Sequence, residues 1–226
     1  MEWVVLEETD STNRVAKALA RQGAPHGTAV MAKRQTAGRG RLGRSFFSPE
    51  GGLYLSVILR PQCKPEDRAL MTPMAAVAVC RSLEESLGIS PRIKWVNDLY
   101  LQGKKLCGIL CEGAGEAVVV GIGLNLCTPE GGFPPEVPAI ALDSMACSAE
   151  HRKLAEEIRS RLLQPEPFLA EYRRRCLVPG KNITVHPVIG EPYEALALDV
   201  DDRCRLIVES CRGVETLDSG EVSVRF

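Results

Sequence analysis

The chain is short of almost everything that would announce a metal protein, a membrane protein or a nucleic-acid binder. Only three histidines occur in 226 residues, and His26, His151 and His186 lie too far apart for a metal-ligand motif. Cysteine is more frequent, but the nine residues are scattered, odd in number and contain no C-x-x-C pair. That argues against a zinc site and predicts free thiols in a reducing cytoplasm, since no signal peptide is recognisable. Cys107 and Cys111, four apart on an expected strand, read as small core residues. No apolar run approaches a membrane span: Ala117–Leu126 is about half of the ~20 residues required. Charges of the two signs nearly cancel, 28 Lys and Arg against 29 Asp and Glu, so no global basic field points to nucleic acid.

Positive charge is instead concentrated. In R-Q-T-A-G-R-G-R-L-G-R-S-F-F-S-P, from Arg34 to Pro49, Gly38, Gly40 and Gly43 alternate with Arg39, Arg41 and Arg44, and Phe46 and Phe47 follow at once. Glycine lets backbone amides approach a ligand, and arginine offers a fork of donors matched to carboxylate and phosphate oxygens. The stretch predicts an anion-binding loop with aromatics able to cover an apolar ligand. It is not a P-loop, because no G-K-[ST] follows, nor a dinucleotide fingerprint, because a strand rather than a helix comes next.

Around it the chain alternates strands and helices. Trp3–Leu6 reads as a strand, and Asp10-Ser11 caps a helix with Val15, Ala16, Leu19 and Ala20 on one face, stopping at Gly23. Thr28–Arg34 is a strand into the loop, and Gly52–Arg60, apolar on both faces, predicts a central strand. A helix over Leu70–Leu87 tolerates Pro73 near its start and ends at Gly88. Arg92–Val96, Leu99–Gln102 and Lys105–Cys111 are short strands, with a turn at Gly103. Ala117–Leu126 is a buried strand and Thr128–Pro138 a loop. Helices are expected over Ala149–Leu163 and Pro165–Cys176, the second with Pro167 in its first turn and Arg173, Arg174 and Arg175 at its end. Val178-Pro179-Gly180 marks a hinge. Four short β runs follow (Asn182–Ile189, Tyr193–Val200, Cys204–Glu209, Val214–Leu217), whose even spacing suggests a small barrel.

Four pieces in order, D-S-T-N at Asp10–Asn13, the glycine–arginine loop, K-W-V-N-D-L-Y-L-Q-G-K-K-L-C-G-I-L at Lys94–Leu110 and G-I-G-L-N-L at Gly121–Leu126, together with a C-terminal G-E-V-S-V-R, resemble the biotin–protein ligases over nearly the whole chain. The resemblance implies an α+β fold: a mixed sheet flanked by helices over 1–178, as in class II synthetase-like catalytic domains, and an SH3-like barrel over 179–226. It implies ATP and biotin as substrates, with Mg²⁺ held mostly by phosphates and no protein metal ligand. Biotin would meet Ser11, Thr12, Asn13, Gln35, Gly38, Arg39, Gly40, Arg41, Lys105 and Gly108. The nucleotide would meet Arg39, Arg41, Arg44, Phe46 and Asn125. Arg41, Lys105 and Asp98 would carry catalysis, Asp98 by orienting the acceptor amine. The acceptor would be a biotin carboxyl carrier domain of acetyl-CoA carboxylase or a related carboxylase.

The chain departs from the family at three places. Lys33-Arg34 stands where an acidic and a neutral residue are common, which would alter charge at the pocket rim. Phe46 replaces the usual tryptophan and removes an indole N–H. Val96 replaces the proline of K-W-P-N-D and frees a backbone N–H. Some relatives carry an N-terminal winged helix-turn-helix; this chain starts at the first catalytic strand, so no DNA partner is expected. A lipoate or octanoate ligase or transferase of the same fold, and a biotin-binding protein without chemistry, are the rival readings. Arg41 and Lys105 argue against the last, since storage needs no phosphate-facing cations. A homodimer is left open.

Overall fold

Alternation decides which face of the sheet each strand residue serves. The computed structural model describes residues 2–143, 148–187, 189–218 and 221–224. Its first part consists of β1 (Trp3–Thr9), α1 (Thr12–Arg21), β2 (Ala29–Gln35), β3 (Gly52–Leu59), α2 (Met71–Leu87), β4 (Arg92–Lys94), β5 (Asp98–Leu101), β6 (Lys104–Ala114), β7 (Ala117–Asn125), α3 (Ser148–Leu163) and α4 (Leu169–Arg175). The seven strands form one mixed sheet in the order β1-β2-β3-β7-β6-β5-β4. Only the β1–β2 pair is parallel.

β3 is buried along nearly its whole length, as expected of a central strand. Leu53, Leu55, Val57 and Leu59 point to the face covered by α2 and α3, where the main core lies. Ile58 points the other way, into a smaller cluster with Ala16 and Ala20 of α1. The period of two thus sorts one strand between two helical layers. The small residues on α1 let that helix sit close to the sheet, which brings its N-terminus over β6 and β7. α2 ends at Gly88, whose φ of 68° takes the left-handed conformation that closes many helices.

One expected helix starts later, and one strand is additional. The second C-terminal helix begins at Leu169, not at Pro165. Pro165 and Pro167 bias the residues before them away from the helical region, so the helix does not start until both are passed. Further on, β8 (Asn182–His186), β9 (Tyr193–Val200), β10 (Leu206–Ser210) and β11 (Gly213–Leu217) are joined by a strand not anticipated as such, β12 (Glu221–Val224). Of the motif that contains it, Gly220 and Arg225 lie outside the described residues.

These five strands make a separate antiparallel sheet in the order β11-β10-β9-β8-β12. Among the described residues no ladder closes β11 onto β12. The sheet is not loosely tethered. Val178 is fully buried, and Ile183, Val185, Ala197, Leu206 and Val222 belong to the same apolar cluster as the first sheet. The Trp95 indole Nε1 donates to the Cys204 carbonyl at 2.9 Å, and Leu177 N donates to Ile93 O at 2.8 Å. Among the described residues, no helix is long and apolar enough to cross a membrane.

Candidate functional site

The N-terminus of α1, the loop after β2, the β4–β5 turn and the middles of β6 and β7 converge on a cavity of about 130 Å³. Ser11, Thr12, Asn13, Gln35, Arg39, Gly40, Arg41, Arg44, Phe46, Asp98, Lys105 and Gly108 all line it. Residues more than ninety positions apart therefore meet, as the motif order required.

One end is neutral and rich in hydrogen bonds. Gln35 Oε1 accepts from Thr12 N at 2.8 Å and lies 3.1 Å from Thr12 Oγ1. Gln35 Nε2 donates to Ser48 Oγ at 2.9 Å, and Ser48 Oγ donates to the Phe46 carbonyl at 2.8 Å. Because the single Ser48 proton goes to Phe46, Ser48 must accept from Gln35, and the amide orientation follows. Among the described residues, the second Gln35 amide N–H meets no protein acceptor, and Gln35 lines the cavity. Ser11 is the N-cap residue but its side chain makes no cap hydrogen bond.

Much of the remaining lining is cationic. Among the described residues, Arg39, Arg41, Arg44, Lys94 and Lys105 line the cavity against a single carboxylate, Asp98. Lys105 Nζ lies 2.8 Å from Asp98 Oδ2. Asn97 bridges the cations: its Oδ1 accepts from Arg41 Nη1 at 3.2 Å, while its Nδ2 donates to Asp98 Oδ1 at 3.1 Å and to Ile109 O at 2.9 Å. This concentration of positive charge in a partly dry cleft suits a polyanion.

Between the ends the floor is bare backbone. Gly108 and Gly123 are register partners on β6 and β7. The Phe46 ring lies on them: a β-carbon at Gly123 would come within 2.5 Å of Phe46 Cε1, and one at Gly108 within 3.0 Å of Phe46 Cε2. The expected aromatic lid is thus folded into the cavity, with Lys105 Nζ 5.7 Å from the ring centroid. Phe47 turns outward against Phe133, with centroids 6.4 Å apart. The loop carrying both is a tight reversal. Gly40 N donates to Arg44 O at 2.7 Å, and the turn passes through left-handed Leu42 and Gly43, at φ 53° and 77°.

Three assignments are put to other uses. Gly38 does not line the cavity; a β-carbon there would collide with Phe46 O and Ser48 Oγ at 2.3 Å, so its bareness serves the folding of the loop on itself. Asn125 is buried away from the cavity lining, and its Nδ2 donates to Ile140 O at 3.2 Å and Lys105 O at 3.4 Å. Together with Lys105 N to Pro138 O and Ile140 N to Lys105 O, it clamps the Lys105 backbone. Lys33 and Arg34 are not at the rim. They pair with Glu7 and Glu8 on β1, because parallel pairing sets Glu8 opposite Arg34.

Lys94, Trp95 and Asn97 line the site although only their motif, not their side chains, was singled out; Val222 of β12 adds a wall from the second sheet. Cys107 is fully buried beneath the floor, and burial pushes its thiol well above the usual range, consistent with a packing role.

Residues 5–126 match the Biotin/lipoate A/B protein ligase family, and 180–225 match the Biotin protein ligase C terminal domain. The bifunctional ligase/repressor BirA of Bacillus subtilis is 35% identical over 95% of this chain and 71% of its own length. The biotin–[acetyl-CoA-carboxylase] ligase of Mycobacterium tuberculosis is 32% identical over 96% of this chain and 87% of its own. The structure of a biotin protein ligase from Aquifex aeolicus in complex with biotin and ATP superposes with a TM-score of 0.80 at 28% identity, covering 99% of this chain and 98% of that one.

Proposed function

Since the chain belongs to the biotin/lipoate A/B protein ligase family, we propose how its residues divide the work of a biotin–protein ligase. The enzyme joins biotin to ATP and then passes biotin to a protein lysine. The observation that carries the assignment of residues is the polarity of this cavity: neutral hydrogen-bonding groups at Thr12 and Gln35, a bare floor at Gly108 and Gly123, and five cations in the lining.

The ureido head of biotin binds at the neutral end. Its ring system lies on the glycine floor and displaces Phe46. Its carboxylate reaches Lys105 and Arg41. A carboxylate oxygen attacks the α-phosphorus of ATP, the bond to the β-phosphate oxygen breaks, and pyrophosphate leaves. Both reactants are anionic, so Arg39, Arg41 and Lys105 act by holding positive charge where the two meet. Asp98, the one carboxylate among the described lining residues, is already bound to Lys105. Mg²⁺ therefore enters with the ATP phosphates as part of the substrate rather than on a protein ligand.

The product is a mixed anhydride that water would destroy. Phe46, once displaced from the floor, closes over it from the loop. In the second step a deprotonated lysine amine of the acceptor attacks the acyl carbon and AMP leaves. When Lys105 turns to the phosphate, Asp98 is released to orient that amine. The acceptor is a biotin carboxyl carrier domain, the partner implied by relatives named as biotin–[acetyl-CoA-carboxylase] ligases.

The test is ligand-dependent exchange of labelled pyrophosphate into ATP, with biotin and lipoate in parallel. Exchange with biotin and not with lipoate is expected. Exchange with lipoate alone would overturn the assignment of Thr12 and Gln35 to a ureido head, and no exchange with either would overturn the adenylation step.

A further inference from the structure

The turn between β4 and β5 carries a side chain whose bonds reach two of the groups assigned to the chemistry. Asn97 Nδ2 donates to Ile109 O at 2.9 Å and to Asp98 Oδ1 at 3.1 Å, and Asn97 Oδ1 accepts from Arg41 Nη1 at 3.2 Å. Ile109 N in turn donates to Asn97 O at 3.0 Å. Backbone and side chain of Asn97 are thus both tied to one residue of β6. The amide serves Ile109 O as the N–H of a strand partner would in a regular antiparallel pair.

The direction of this amide has one solution. A carbonyl only accepts and a guanidinium only donates, so the nitrogen faces Ile109 O and the oxygen faces Arg41. Of the two Nδ2 protons, one is used at Ile109 and the other goes to Asp98 Oδ1. The Asn97 amide is therefore fixed without any contribution from Asp98.

Asp98 is the register partner of Gly108, and its carboxylate stands beside the glycine floor. Its two oxygens have partners of different kinds. Lys105 Nζ lies 2.8 Å from Oδ2, on a long flexible stem that can swing to a phosphate. Asn97 holds Oδ1 and is pinned to β6. When Lys105 leaves, Oδ1 stays bound, and Oδ2 is the oxygen presented where a lysine nitrogen has just been. The acceptor lysine brings the same kind of nitrogen to the same place.

We propose that Asn97 is a positioning residue for the transfer step: it holds Asp98 by Oδ1, so that Oδ2, the oxygen vacated by Lys105, receives the acceptor amine. This rests on the reading of Asp98 as the group that orients that amine. The turn itself has other supports. Trp95 Nε1 donates to Cys204 O, Tyr172 Oη donates to Val96 O at 3.1 Å, and the bond from Ile109 N to Asn97 O needs no side chain. Asn97→Ala should therefore leave the backbone of the turn in place.

The test supplies biotinyl-5′-AMP directly, with a purified biotin carboxyl carrier domain of acetyl-CoA carboxylase as acceptor, so that adenylate formation does not enter. Single-turnover transfer by Asn97→Ala should be about tenfold slower than by the wild type, the scale of one lost hydrogen bond to a charged group. In an Asp98→Ala background the same substitution should cost less than about twofold, because no carboxylate is left to hold. A general packing defect would slow transfer equally in both backgrounds, and that result would overturn the proposal. Normal transfer by Asp98→Ala alone would instead remove Asp98 from the step, and Asn97 with it. If Asn97→Ala does not fold, Asn97→Ser, whose shorter side chain cannot span both bonds, decides it in the same cycle.

Discussion

The ring of Phe46 lies on the backbone of Gly123, so close that a β-carbon on that glycine would reach within 2.5 Å of it. The residue expected to cover a bound intermediate therefore occupies the floor on which the ligand would lie. Covering and blocking are two positions of one side chain, and a substitution there should act on binding in two opposite ways.

For Phe46→Ala, biotin association should be faster than in the wild type, since nothing must leave the floor first. Retention of the adenylate should be worse by about tenfold, on the scale of one lost apolar side chain over the ligand. Stopped-flow fluorescence of Trp95 reports the first quantity, and the half-life of enzyme-held adenylate the second. Unchanged association would mean that Phe46 does not stand in the ligand's way.

For Lys105→Met, adenylate formation should fall by about 10²–10³-fold, the usual scale for removing one preorganised charge from the reacting centre. Its backbone is clamped by Pro138, Ile140 and Asn125, so the variant should keep the fold. Single-turnover release of pyrophosphate measures the step, and a near-normal rate would remove Lys105 from the chemistry.

Acid should unfold the protein partly through α4. Arg175 is buried, with Nε 2.8 Å from Glu171 Oε1 and Nη2 bound to Glu84. Burial raises the Glu171 carboxyl, but Arg175 and Arg81 outweigh it and hold it below the usual range; hydrogen bonds from Arg175 and Ser90 do the same for Glu84. A carboxyl held lower in the folded state gives stability that is full above the unfolded value, about 4.3, and is lost as pH falls through the folded value. Glu171→Gln should lower Tm at neutral pH, and its Tm should converge with that of the wild type in acid. Calorimetry across that range checks this, and parallel curves would exclude Glu171 as a source of acid sensitivity.

Much of this site was legible because the residue types themselves carry the chemistry. Alternating glycine and arginine can hardly be core, and Gly108 reads as a place left open. The central strand was legible because Leu53 to Leu59 are apolar on both faces. What escaped depends on partners distant in sequence. Lys33 and Arg34 look like rim charges until the β1–β2 register sets Glu8 beside Arg34. Asn125 looks like a ligand group until Ile140 comes back to it. Ser56 and Glu112 gave no signal at all: a serine in an apolar strand and an acid near a hairpin acquire meaning only when Asn13 lies between them.

Val222 lines the same cavity as Ser11, and the Cys204 carbonyl holds the indole of Trp95. One wall of this cavity is thus supplied by the last strand of the described residues. During synthesis a ribosome-bound polypeptide that has already released β1 through β7 still lacks one wall of its reaction chamber. A chain cut short of β12 would therefore hold the loop and its arginines around a cavity that lacks this wall.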